Sequence, residues 1–218
     1  MNDIEILKAT KTYVKSVLTN AEGGHDWFHT LRVFNNSILI AENETVDLLI
    51  VQLGALLHDI ADSKFYDGNE TIGPDMARQF LFKHNLDSSV IEHVVNIIKH
   101  MSFKNSFENG QSFNSIELQV VQDADRLDAI GAIGIARAFN YGGFKNRGLF
   151  DPSIKPNLKM TKAEYKSSTA PTINHFYEKL LLLKDKMNTR TGKRIAQQRH
   201  KFMEQYLEQF YAEWDGER

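Results

Sequence analysis

The chain has 218 residues, 42% hydrophobic and 25% charged, with a formal net charge of −2 and no cysteine. That length can bury a substantial core in one domain. The missing cysteines exclude disulfides and thiolate chemistry, so any metal would rest on nitrogen and oxygen ligands. No apolar run approaches the roughly 20 residues that cross a bilayer. The opening MNDIEILKATKTYVKSV mixes charge with apolar residues, unlike a secretory signal, and a cytoplasmic protein is expected. The charge is unevenly spread. Residues 1–140 carry 11 Lys and Arg against 19 Asp and Glu, and residues 141–218 carry 15 against 9. An acidic half suited to a cation and a basic half suited to an anion fit a phosphorylated substrate, although solvated helix faces give the same pattern.

In chain order the pattern is helical almost throughout, with only four prolines and no strand-like alternation. A first amphipathic helix is predicted over 2–19, closed by the turn at Asn20–Gly24. A second covers about 25–42, with Trp27, Leu31, Phe34, Ile38 and Ala41 toward a core and His25, His29, Arg32 and Asn36 on a neighbouring face. The third, about 45–59, is apolar nearly all round (LLIVQLGALL), which marks a buried central helix with Thr45 as its N-cap. Pro74 fits the first turn of a fourth helix. A fifth spans about 88–100, residues 102–114 form a loop, and a sixth spans about 115–130. Tyr141–Met160, with three glycines and two prolines, is expected to be a long loop able to close over a substrate. Two long helices, about 162–188 and 191–213, finish the chain.

Four residues stand out because each is polar on an otherwise apolar helical stretch: His29, His58, Asp59 and Asp125. Burying such groups costs several kcal/mol each, roughly, unless something compensates them, and a divalent cation does so. His58 and Asp59 end the most hydrophobic helix in the chain, although a buried His-Asp pair can also satisfy itself. Asp125 shares a helix face with Asp128, while Asp123 lies on another face, as a supporting group or a solvent contact.

The order His, then His-Asp, then Asp on successive helices resembles the HD-domain metal-dependent phosphohydrolases. GHDWFHTLRV at 24–33, LLHDIADSKF at 56–65 and QDADRLDAIGAIGIAR at 122–137 are similar to the blocks of its small bacterial nucleotide (pyro)phosphohydrolase-like branch. HFYEKLLLLKDKMNTRTGKRIAQQRHKFM at 175–203 is similar to that branch's C-terminal helices. The resemblance implies an all-α HD-domain helical bundle, one domain over 1–218, with a core at about 20–140 and helices at about 162–214 packed on it. It implies His29, His58, Asp59 and Asp125 as metal ligands and makes a homodimer an expectation.

Two imidazoles and two carboxylates leave open positions on Mg²⁺ or Mn²⁺, with Ni²⁺ or Co²⁺ as substitutes. Asp62, one turn beyond His58, is expected to act as general base or water-orienting group. Phosphate contacts are expected from His25, Arg32, Lys64, His100, Lys145 and Arg147, with Asp128 also at the substrate. His84, His93 and His100 fall between the His-Asp pair and the last aspartate, but they do not match a dinuclear set, so one metal is expected. The expected reaction is cleavage of a nucleoside triphosphate to monophosphate and pyrophosphate. The alternatives are a nucleoside monophosphate phosphatase and a non-catalytic HD-type ligand-sensing module. His25–His29 imitates the H-E-x-x-H zinc-protease helix only superficially, since its acid is aspartate. A pI near 6.4, with no basic patch interleaved with aromatics, speaks against nucleic acid.

Overall fold

The computed structural model describes residues 2–19, 24–61, 69, 71–101, 113–161, 164 and 167–217. The fold is all-α, and no strand occurs among the described residues. The chain forms two compact units, Met1–Asp125 and Arg126–Arg218. No helix among the described residues is long and apolar enough to cross a membrane.

The first unit holds α1 (Asp3–Val17), α2 (Trp27–Ala41), α3 (Leu48–Leu57), α4 (Ile72–Lys83), α5 (Ser88–His100) and most of α6 (Ile116–Asp128). The central helix is α3, which packs on α1, α2 and α5. Seven of its ten residues are buried, as its unbroken apolar composition requires. Gly54 permits a close approach of α5 and α6. A Cβ there would stand 3.2 Å from Ile97 on α5 and 3.5 Å from Val121 on α6.

The N-cap of α3 is Asp47, not Thr45. Its carboxylate accepts from Ile50 N at 3.2 Å, and its own N–H donates to Glu117 Oε1 at 3.1 Å. A carboxylate satisfies an orphan N–H at a helix start at least as well as a threonine hydroxyl. Pro74 lies in the first turn of α4, where its missing N–H costs nothing.

The buried face of α2 is rotated from the expected one. His29, Thr30, Val33, Phe34, Ser37, Ile40 and Ala41 are buried, whereas Trp27, Leu31 and Ile38 are only partly so. Ser37 tolerates burial because its hydroxyl donates to Phe34 O at 2.8 Å.

The second unit contains α7 (Gly131–Phe144), α8 (Thr172–Glu178), a 3-10 helix at Leu180–Lys186 and α9 (Arg190–Trp214). The 25-residue α9 packs on α7 and on the 3-10 helix. Its N-cap, Thr189, accepts from Gly192 N at 2.9 Å.

The sequence pattern leaves α7 unassigned because four glycines dilute it. One of them is required by packing: a Cβ on Gly134 would lie 2.3 Å from Ala129 O. The helix runs to Phe144, so the glycine-rich loop begins later than expected. The single helix expected over 162–188 is interrupted at 168–171, and from Thr172 it is the short α8, started by Pro171, followed by the 3-10 helix. Proline disfavours helical backbone at the residue before it, which ends any helix arriving from upstream. The expected loop at 102–112 lies outside the described residues.

Candidate metal centre

His29 is placed by the cap of its own helix. Asp26 is the N-cap of α2, and its carboxylate accepts from His29 N at 2.8 Å. Asp26 therefore starts the helix and fixes the backbone of a candidate ligand two positions inside it. The His29 side chain is 2% exposed, and its Nε2 lies 3.5 Å from Asp125 Oδ1 and 3.9 Å from Asp59 Oδ2.

His58 forms the C-cap of α3. Its Nδ1 donates to Ala55 O at 2.8 Å, and that bond fixes the tautomer with the lone pair on Nε2. Nε2 is buried and has no hydrogen-bond partner among the described residues. The His29 and His58 rings meet edge to face, with centroids 5.5 Å apart.

Ligand atoms of His29, His58 and Asp125 lie within 4.8 Å of one another, as do those of His25, His29 and Asp59. His29 belongs to both groups. Donor atoms around one divalent ion stand about 3–4 Å apart, given bonds near 2.0–2.2 Å. A buried imidazole lone pair beside carboxylates is well matched to a cation. The donor set is all nitrogen and oxygen, and it fits a divalent ion.

Asp59 is paired with His25, whose Nδ1 contacts Asp59 Oδ2. Burial pushes this carboxyl up, but the hydrogen bond from His25 and the fields of His58, His25 and His29 outweigh it. The net effect holds Asp59 well below the ordinary carboxylate range, and it stays ionised. His25 precedes the N-cap of α2, so it is not on the helical face read from sequence. The chain bend before Asp26 brings it to Asp59 instead.

The other expected site residues are placed as follows. Asp62 and Lys64 lie outside the described residues. Arg32 is part-buried on α2. His100 ends α5, with Nδ1 donating to Asn96 O at 2.8 Å and its carbonyl accepting from Gln122 Nε2 at 2.9 Å. His93 is engaged by Ser115 Oγ at 2.9 Å and Glu117 Oε2 at 3.3 Å, and His84 lies against the Phe80 ring.

In the second unit Asp128 is 1% exposed and ion-paired with Arg137 at 2.5 Å. Lys145 is exposed over the Phe144 ring, and Arg147 Nη2 donates to Ser168 O at 2.5 Å. Asp123 is buried, with no exposed surface, so it is not a solvent contact. Sequence reading missed Asp26 and the Ala55 carbonyl as orienting groups. The aspartate three residues before His29 was the available signal for the first. The second carries none, because any residue offers a carbonyl.

Helical layers that bring His, His-Asp and Asp together define a member of the HD superfamily, and the HD domain family model matches residues 27–130; the chain belongs to that family. Among its relatives is the uncharacterized protein YpgQ of Bacillus subtilis, 39% identical over 99% of this chain and 97% of that protein. The solved structure of an HD-superfamily hydrolase from Bacillus thuringiensis is 41% identical, with a TM-score of 0.80 over 99% of this chain and 100% of that one. Bacillus subtilis YpgQ has been solved in complex with ADP, at 37% identity and a TM-score of 0.77 over 98% of this chain and 97% of that one.

Proposed function

We propose that the protein is a metal-dependent phosphohydrolase acting on nucleotides, with cleavage of a nucleoside triphosphate to monophosphate and pyrophosphate as its reaction. The observation that carries this reading is the buried His58 Nε2, without a hydrogen-bond partner among the described residues, in a cluster with His29 and Asp125. The nucleotide class is supported by the ADP bound to the Bacillus subtilis relative.

In this reading His29, His58, Asp59 and Asp125 hold one Mg²⁺ or Mn²⁺, for which Ni²⁺ or Co²⁺ can substitute. The chemistry such an ion supplies when bound is polarisation of a phosphoryl oxygen and acidification of a water. The Ala55 carbonyl holds the His58 ring in the tautomer that presents Nε2. Asp26 holds His29 in place, and His25 orients the Asp59 carboxylate. Asp62 takes the proton of the attacking water. The water oxygen bonds to the α-phosphorus, the bond to the bridging oxygen breaks, and pyrophosphate leaves with that oxygen.

A panel of nucleotides incubated with Mg²⁺, Mn²⁺, Co²⁺ and Ni²⁺, read for both phosphate and pyrophosphate, tests the proposal. Pyrophosphate release from triphosphates is expected. Phosphate released from monophosphates would replace it with the phosphatase reading. No turnover with any ion, alongside metal-independent nucleotide binding, would replace it with a sensing module.

A further inference from the structure

Three arginines hold the last turn of α6, the helix that carries Asp125. Arg199 Nη1, from α9, donates to Leu127 O at 2.6 Å. Arg137 Nη1, from α7, donates to Asp128 O at 3.1 Å and to Asp128 Oδ2 at 2.5 Å. Arg126 reaches outward, its Nη1 donating to Lys186 O at 2.9 Å at the end of the 3-10 helix. All of these bonds lie within the second unit, which begins at Arg126. Just before Asp125, and within the first unit, Asn36 Nδ2 of α2 donates to Ala124 O at 3.4 Å.

The arrangement answers a local need. The last carbonyls of a helix lack partners inside it, and the dipole makes that end negative. Here the chain leaves α6 through tighter bonds, Ala129 N to Arg126 O at 3.1 Å and Ile130 N to Leu127 O at 3.3 Å. The guanidinium groups add donors to Leu127 O and Asp128 O and bring positive charge to the negative end. Asp128 is buried, so its carboxylate needs a paired cation. Arg137 supplies it, and Arg199 lies in the same field. Gly131, with a φ of 75°, lets α9 come close: a Cβ there would stand 3.0 Å from Arg199 Cβ.

The clamp matters because of how unequally the candidate ligands are enclosed. The His29 side chain is 2% exposed and the Asp125 side chain 43%. Burial confines the imidazole, whereas the direction of the Asp125 carboxylate depends on the backbone of the turn that bears it. A helix end that nothing ties down opens at low free energy. We propose that Arg137 and Arg199 are positioning residues for Asp125, clamping the last turn of α6 so that its carboxylate is in place before an ion arrives. The clamp rests on the reading of Asp125 as a metal ligand, and it contributes by sparing the ion the cost of ordering that turn.

Two measurements test it without turnover: Mn²⁺ affinity by calorimetry, and hydrogen exchange of the amides of 125–130 in EDTA. Arg137→Met and Arg199→Met are each expected to weaken Mn²⁺ about 10–100-fold, the range for a lost orienting partner. Both should speed exchange over 125–130 and leave that of α3 unchanged. Arg199→Lys, which keeps a cation and a donor, should bind Mn²⁺ nearly as wild type does. Leu207→Ala, at a buried position of the same α9, is the control for stability: its thermal midpoint should fall while its Mn²⁺ affinity stays. Wild-type affinity in both Met variants overturns the clamp, as does an equal loss of affinity in Leu207→Ala. Metal-free wild type decides the matter even where the Met variants fail to fold. Its 125–130 amides are expected to be protected, and exchange as fast as in an unfolded peptide until Mn²⁺ is added would show that the ion orders the turn. Asp125→Ala separates the two readings. Lost Mn²⁺ binding there, with wild-type affinity in the arginine variants, overturns the clamp alone; full binding there removes Asp125 as a ligand and the clamp with it.

Discussion

His29 Nε2 and Asp125 Oδ1 stand 3.5 Å apart, one on α2 and the other on α6. They are too far apart for a good hydrogen bond and close enough to share an ion. Removing one member of such a set should therefore cost the ion rather than the fold. Asp125→Ala and His58→Ala are each expected to lose retained metal and turnover together. Metal content after dialysis, measured by mass spectrometry with circular dichroism as control, checks this. Full metal occupancy in either variant would place the ion elsewhere.

His25 touches Asp59 but is not proposed as a ligand, so its effect should be graded. Loss of an orienting partner typically weakens metal binding about 10–100-fold. His25→Ala is expected to fall in that range for Mn²⁺ by calorimetry, and His25→Gln, which keeps a donor, to recover part of it. Unchanged affinity in His25→Ala would show that Asp59 needs no orienting group.

Asp62 is proposed to handle the water and not the metal. Asp62→Ala should retain metal while losing about 10²–10⁴-fold in turnover, the range for a general base. A rate within twofold of wild type would remove Asp62 from the mechanism.

Gly134 is expected to be intolerant of any side chain. Its Cβ would meet Ala129 O at 2.3 Å, a backbone atom that cannot rotate away. Gly134→Ala should destabilise by about 1–3 kcal/mol, a fall of several degrees in thermal midpoint for a chain of this size. An unchanged midpoint would mean that α7 shifts freely against the turn preceding it.

His175 gives a pH signature. Its ordinary value is 6.5, and burial with Lys179 and Arg147 lowers it to about 4 in the folded chain. Between those values the unfolded state binds more protons. Stability is therefore full above about 6.5 and is lost as the pH falls toward 4, by at most about 3 kcal/mol. Thermal midpoints at pH 7 and 4.5 should differ less in His175→Asn than in wild type, in phosphate-free buffer. Equal pH dependence in the two would contradict the assignment.

The four proposed ligands were legible in sequence because polar residues on apolar helical runs stand out against their neighbours. The central position of α3 was legible for the same reason. What escaped was decided by contacts between distant residues or by local chemistry that periodicity does not weigh. Four glycines hid α7, one of them kept small by the backbone of Ala129. Pro171 starts α8 afresh inside the expected long helix, and at Lys179 α8 gives way to a 3-10 turn. The buried face of α2 was misjudged because Thr30 and Ser37 read as polar, yet Ser37 bonds back to its own helix. Backbone pairing of 148–149 with 172–173 brings the segment after Arg147 beside α8, which no pattern of side chains announces.

The ten residues of α3 act as a ruler for the ring that follows them. Buried from Leu53 to Leu57, the rod cannot slide or swivel to absorb a change in its length. Adding or deleting one residue would turn His58 by about 100° around the axis, swinging Nε2 out of the cluster. Insertions should thus be far less tolerable between Leu48 and Leu57 than substitutions that preserve volume.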